Sequence, residues 1–141
     1  MQSDTSKQLL QRLKEAWSGH PPPPGASEEQ LLEFEVRHQV KLPFDLKEYF
    51  KEMNGSGGMD GWMIEFWPIE KVERSTGTDL PGKWFDFADY SISACVYTIR
   101  LSDNLTEANP VIGAYGAGDP VLADNFTQFM KRYLEDARSI L

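Results

Sequence analysis

Hydrophobic residues recur along this chain in two rhythms. Up to about residue 55 they fall every three to four positions, as on one side of a helix. Leu9, Leu10, Leu13, Ala16 and Trp17 form the first such stripe. Thr5 and Gln8 form a capping box for it, placing a helix over residues 5–18 that Gly19 ends. "HPPPPG", residues 20–25, cannot continue a helix and reads as a stiff spacer. Ser27 and Gln30 form a second capping box, with Glu28 and Glu29 in the first turn, where the helix dipole favours acids. Leu31, Phe34 and His38 share the face of that helix, and Leu32 and Val36 widen it. A third stripe, Leu46, Tyr49, Phe50 and Met53, starts near Pro43 and stops at Asn54 and Gly55.

Beyond residue 60 the rhythm changes. "GWMIEFWPI", residues 61–69, is aromatic and apolar and reads as a strand. "PIEKVERS", residues 68–75, reads as a helical turn or short helix. "TGTDLPGKWFDFADYS", residues 76–91, carries turn signals and reads as a loop with a short strand at most. "SACVYTIRLS" alternates strictly: Cys95, Tyr97, Ile99 and Leu101 face one way, and Ala94, Val96, Thr98 and Arg100 the other. "NPVIGAY" and "PVLA" flank "GAGD" and read as a hairpin. The last element is a helix from the N-cap Asp124, with Phe126, Phe129, Met130, Tyr133, Leu134, Ala137 and Ile140 on one face. Helices, then strands, then a helix predict an α+β domain with an antiparallel or mixed sheet. Its 141 residues suit one domain, 1–141, with the N-terminal helix and proline spacer in 1–25 and the core in 26–141.

Charge adds a direction to this picture. The net charge is −8, and residues 60–107 carry nine acids against four bases. Neutralising phosphates requires a basic face, so the balance argues against nucleic acid and for solubility or a basic protein partner. No apolar run reaches the ~20 residues needed to cross a bilayer, and the N-terminus is polar, so a cytoplasmic location is expected. Cys95 is the single cysteine, which rules out an internal disulfide and gives no metal cluster.

The glycine runs do not carry phosphate chemistry. "GSGG", residues 55–58, follows a helix and precedes a strand, the reverse of a dinucleotide fingerprint, and has no Gly-Lys-Ser/Thr. "GAYGAGD" has the wrong spacing and lies in a hairpin. His20 and His38 are far apart without matching acids, and Cys95 reads as a buried hydrophobe. No nucleophile, base and oxyanion donor assemble, so a non-enzyme without cofactor or metal is expected. Aromatics interleaved with acids do match a protein-binding face. Asp60, Trp62, Glu65, Trp84, Asp86 and Asp89 are its candidate residues.

"SEEQLLEFEVRHQVKLPFDLKEYFKEMNGSGG", residues 27–58, resembles the N-terminal signature of the SUKH superfamily, of Smi/Knr type. Leu31, Glu35, Leu42, Pro43, Lys47, Tyr49, Phe50, Asn54 and Gly55 carry the likeness. "WPIEKV" resembles the element after the family's first strand, and Phe126 and Phe129 its closing helix. The likeness spans about residues 26–136. It implies a twisted, mainly antiparallel sheet packed against N-terminal and C-terminal helices, and protein binding without catalysis. In bacteria such domains include immunity proteins that neutralise toxin domains, often nucleases; in fungi they include regulatory scaffolds of cell-wall synthesis. A toxin-neutralising protein is the leading expectation, a scaffold the second and an enzyme the third.

Overall fold

The computed structural model describes the backbone of residues 2–17, 19, 22–76, 78–92, 94–114 and 120–141, and side chains from Lys7 onward. Four α-helices and six strands are found among these residues. The helices are α1 (Gln2–Ala16), α2 (Glu28–His38), α3 (Phe44–Glu52) and α4 (Phe126–Glu135). The strands are β1 (Ile64–Phe66), β2 (Glu73–Arg74), β3 (Lys83–Tyr90), β4 (Cys95–Leu101), β5 (Val111–Ala114) and β6 (Val121–Ala123). They form one open, twisted antiparallel sheet in the order β1-β3-β4-β5-β6, with β2 pairing β3 beside β1. The architecture is α+β, as expected.

Helix capping follows the sequence closely in α2. The Ser27 side chain accepts from Gln30 N at 3.1 Å, and the Gln30 side chain accepts from Ser27 N at 2.9 Å. Leu31 and Phe34 are buried as the stripe predicts, but Leu32 and Val36 are 58% and 69% exposed. The buried face is therefore narrower than expected, because α2 covers the sheet along one ridge only. α1 begins at Gln2, so Thr5 lies within it rather than capping it. Leu9, Leu13 and Trp17 turn into the core, whereas Ala16 is exposed. The cap of α4 is Asn125, whose side chain accepts from Gln128 N at 2.8 Å, one residue after the expected Asp124. α4 ends at Glu135, and Ala137–Ile140 form a separate 3-10 turn rather than its last turn. The Arg132 guanidinium ties these parts together, donating to Leu122 O and, at 2.9 Å, to Ser139 O.

The proline segment is more than a spacer. Ala26 N donates to Phe50 O at 2.7 Å, and Pro24 bridges Met53 in antiparallel fashion. His20 and the predicted turn at 116–119 lie outside the described residues.

The strand region departs most from the sequence reading. The nine-residue strand expected at 61–69 is reduced to Ile64–Phe66. Residues 68–72 make one turn, with Lys71 N donating to Pro68 O at 2.9 Å, and β2 follows. The expected loop at 76–91 holds β3, the longest strand, in the sheet interior. β3 has a bulge between Asp86 and Ala88, so Phe87 and Ala88 both turn inward. That break in alternation disguises the strand. At the same point Trp67 N donates to Phe87 O at 2.9 Å, where β1 gives way to β2.

The helices pack on one face of the sheet, against Phe66, Phe85, Phe87, Tyr97, Ile99, Val111 and Leu122. Ring pairs fill this layer: Trp17–Phe66 at 5.1 Å, Phe66–Tyr133 at 5.0 Å, Phe87–Phe129 at 5.5 Å and Tyr97–Phe129 at 5.3 Å. These separations suit tilted aromatic pairs. Burying each such side chain contributes roughly 1.5–3 kcal/mol. Trp84 and Ile112 are buried outside this cluster, on the sheet's other face.

Candidate partner-binding surface

Directly paired residues of an antiparallel ladder share a face. Trp84 pairs Arg100, Asp86 pairs Thr98, and Asp89 pairs both Val96 and Glu65. Glu73 of β2 pairs Asp86. Glu65, Glu73, Trp84, Asp86 and Asp89 therefore lie on the face opposite the helices. Two carboxylate pairs, Glu65 with Asp89 and Glu73 with Asp86, stand directly across strands, an arrangement that destabilises a sheet. Asp86 accepts from Thr98 Oγ1 at 2.8 Å. Burial still pushes its pKa up, and the neighbouring Glu73 charge adds to that rise, against the hydrogen bonds from Thr98 and Ser75.

Accessibility divides the six expected residues. Trp84 is 6% exposed, with its ring N–H donating to Pro81 O at 3.0 Å, so it is a packed residue rather than a surface anchor. Asp89 is also buried, and Asp86 is half-buried. Glu65 is reachable, with the Lys71 ammonium 4.0 Å away. Asp60 and Trp62 lie off the sheet face, in the turn before β1. Asp60 is turned inward: Oδ1 accepts from Trp62 N at 2.8 Å and Ile64 N at 3.0 Å, and Oδ2 accepts from the Tyr133 hydroxyl. That hydroxyl also accepts from the Trp17 ring N–H at 2.8 Å. Trp62 itself is 44% exposed, with the Arg138 guanidinium 5.8 Å from its ring. Four of the six residues thus share one sheet face, and two stand at its end.

With this geometry in view, the comparison with known families is decisive. The SMI1 / KNR4 family (SUKH-1) model matches residues 25–132. The chain belongs to the SMI1/KNR4 family. No curated protein sequence matches it. The signature residues of this SMI1/KNR4 chain build the scaffold. The Glu35 carboxylate accepts from Leu42 N at 2.7 Å and fixes the Leu42–Pro43 entry to α3, whose N-cap is Pro43. Tyr49, Phe50, Phe126 and Phe129 are buried together, Tyr49 and Phe126 5.0 Å apart. Asn54 accepts from Ile69 N at 2.7 Å and donates to Glu70 at 2.5 Å. Gly55 has φ of +88°, and an added Cβ would meet Phe66 O at 2.5 Å. The Asn-Gly pair therefore clamps the end of α3 onto β1.

Other candidate chemistry is accounted for by structure. Cys95 is buried on β4. His38 packs between Phe34 and Phe85, 4.5 and 5.1 Å from their rings. Burial first, then the charges of Arg37, Arg74 and Lys83, hold its pKa below the usual 6.5. A cavity of about 170 Å³ beside it is lined by Phe34, Arg37 and Glu70 among others. Among the described residues no three His, Cys, Asp or Glu side chains gather to hold a metal ion, and no helix is long and apolar enough to cross a membrane. Sequence reading missed Glu73, because its place opposite Asp86 is visible only once β3 is known to be a strand.

Proposed function

We propose that this chain acts without catalysis, by stoichiometric binding of a basic protein domain, and that the partner is a toxin it neutralises in the cytoplasm. The observation that carries the reading is the two opposed carboxylate pairs across β1, β2 and β3 on the helix-free face. Stacking like charges costs fold stability. It raises the encounter rate with a positively charged surface. Membership of the SMI1/KNR4 family supports a binding role, and the family's immunity proteins supply the kind of partner.

A toxin gene directly upstream of this chain's own is the first expectation of this reading, and its absence would favour the scaffold; the test uses the inactivated toxin domain that such a gene encodes. Its association with the wild type is followed by biolayer interferometry at low and high salt. Tight binding whose association rate falls with added salt is expected. Glu65→Lys with Glu73→Lys should slow association further and flatten the salt dependence. Unchanged affinity in that double variant would remove the sheet face from the reading. A regulatory protein as the tight partner, with no affinity for the toxin, would put the scaffold reading in its place.

A further inference from the structure

At one end of the sheet two loops present large apolar side chains to solvent. Met59, Trp62 and Met63 are each nearly half exposed, and Ile92 is 80% exposed. Ser91 N donates to Met63 O at 2.8 Å, so the loops meet where the β1–β3 ladder ends. Met59 bridges Glu65 and so stands beside the acidic row. The backbone is left-handed at Met63 (φ 66°), Ser91 (φ 52°) and Ile92 (φ 55°). A β-branched residue is strongly disfavoured there, and glycine or asparagine would fit. Ile92 gains little packing in return, since most of it faces water. Neither backbone preference nor core packing accounts for an isoleucine at this position.

The turn carrying Trp62 is also firmly held. Asp60 N donates to Ile64 O at 2.9 Å and Met63 N to Asp60 O at 3.1 Å. The Asp60 carboxylate accepts from Trp62 N, Ile64 N and the Tyr133 hydroxyl, which Trp17 braces from just beyond α1. A loop ordered in advance spends less free energy on binding. Exposed aromatic and apolar groups on a rigid support have the make-up of interface hot spots.

We infer that Trp62, Met63 and Ile92, with Met59 beside them, form a preorganised apolar knob that inserts into an apolar pocket rimmed by lysine and arginine on the protein partner. The inference rests on the protein-binding reading above and says where the contact energy lies. Glu65, the accessible acid of its pair with Asp89, adjoins the knob, and the chain carries a net charge of −8, so a basic rim is matched, and an anionic lipid surface is repelled.

The same inactivated toxin domain is the probe. Trp62→Ala and Ile92→Gly should each weaken binding at least about thirtyfold, through faster dissociation, at low and high salt alike. Ile92→Gly should melt no lower than the wild type, because glycine fits a left-handed backbone. Loss of binding with undiminished stability separates a contact from a structural role. Val36→Ala, on the remote face of α2, should bind as the wild type does. Knob variants that bind normally, while the Glu65/Glu73 reversal weakens binding, would overturn the knob alone. A wild type that does not bind would overturn the toxin-binding reading and the knob that rests on it. Sedimentation of the chain by itself should show a monomer; a dimer broken by Trp62→Ala would give the knob to a second copy and overturn the inference.

Discussion

Replacing Gly55 by alanine tests the clamp between α3 and β1. Gly55 has φ of +88°, where an L side chain costs about 1–2 kcal/mol. The new Cβ would also lie 2.5 Å from Phe66 O, 2.8 Å from Trp67 C and 2.9 Å from Pro68 N. All three are backbone atoms, so no flexible side chain can move aside. Overpacking of this kind costs about 1–3 kcal/mol. The stiffer unfolded chain offsets about 0.4–1 kcal/mol of that. The middle of these ranges gives an expected net loss of about 3 kcal/mol. Equilibrium urea unfolding, followed by tryptophan fluorescence, measures it. With a slope of about 2 kcal/mol per molar, the midpoint should fall by roughly 1–2 M at unchanged slope. Gly61→Ala is the matched control, since nothing lies within 4 Å of its Cβ position. It should stay within about 0.5 kcal/mol of the wild type. A Gly55→Ala midpoint as close as the control's would refute the clamp.

Three further outcomes follow from burial and charge. Leu31→Ala should cost about 2–5 kcal/mol, since Leu31 is fully buried, whereas Leu32→Ala should change stability by less than about 0.5 kcal/mol; similar melting curves for the two would contradict the orientation of α2. His38 has a folded-state pKa below the unfolded 6.5, so the unfolded chain protonates first as pH falls. Stability is therefore full above about 6.5 and is lost below it, and His38→Gln should flatten the urea midpoint between about pH 7 and about pH 5. A wild-type midpoint that rises on acidification through that window would reverse the sign assigned to His38. Asp86 has its pKa raised above 3.8, so the folded state holds its proton more tightly and stability falls as pH rises through the raised value. Asp86→Asn keeps an acceptor for Thr98 and should be at least as stable as the wild type at neutral pH by urea titration. A clear loss there would mean that the charge is needed by the fold.

The helices were legible because each carries an apolar stripe, as in Leu46, Tyr49, Phe50 and Met53, reinforced in α2 by the Ser27–Gln30 capping box. β4 was legible for the same kind of reason, strict alternation with Tyr97 and Ile99 inward. β3 was not, because its bulge breaks the two-residue period and turn residues crowd its entry. That one error hid Glu73 and the cross-strand pairing that puts Glu65, Trp84, Asp86 and Asp89 on one face. The opposed acids and the burial of Trp84 are properties of register, which no local pattern carries. Trp62 and Trp84 look alike in composition, yet a left-handed Met63 turns the first loop outward and the strand pairing of β3 buries the second.

The docking of the proline segment bears on how the chain acquires its shape. α3 is nine residues long, well under the ~12–15 at which an isolated helix becomes even marginal in water. Phe50 O, in its last turn, accepts from Ala26, which lies 18 residues before the helix start at Phe44. Gly25 sits so close to the Lys51 carbonyl that no side chain would fit between them. α3 is thus completed by a piece of chain that precedes α2. A synthetic peptide of residues 41–58 should show a coil-like circular dichroism spectrum. The helix belongs to the assembled domain, and its formation is a step of tertiary assembly rather than of local ordering.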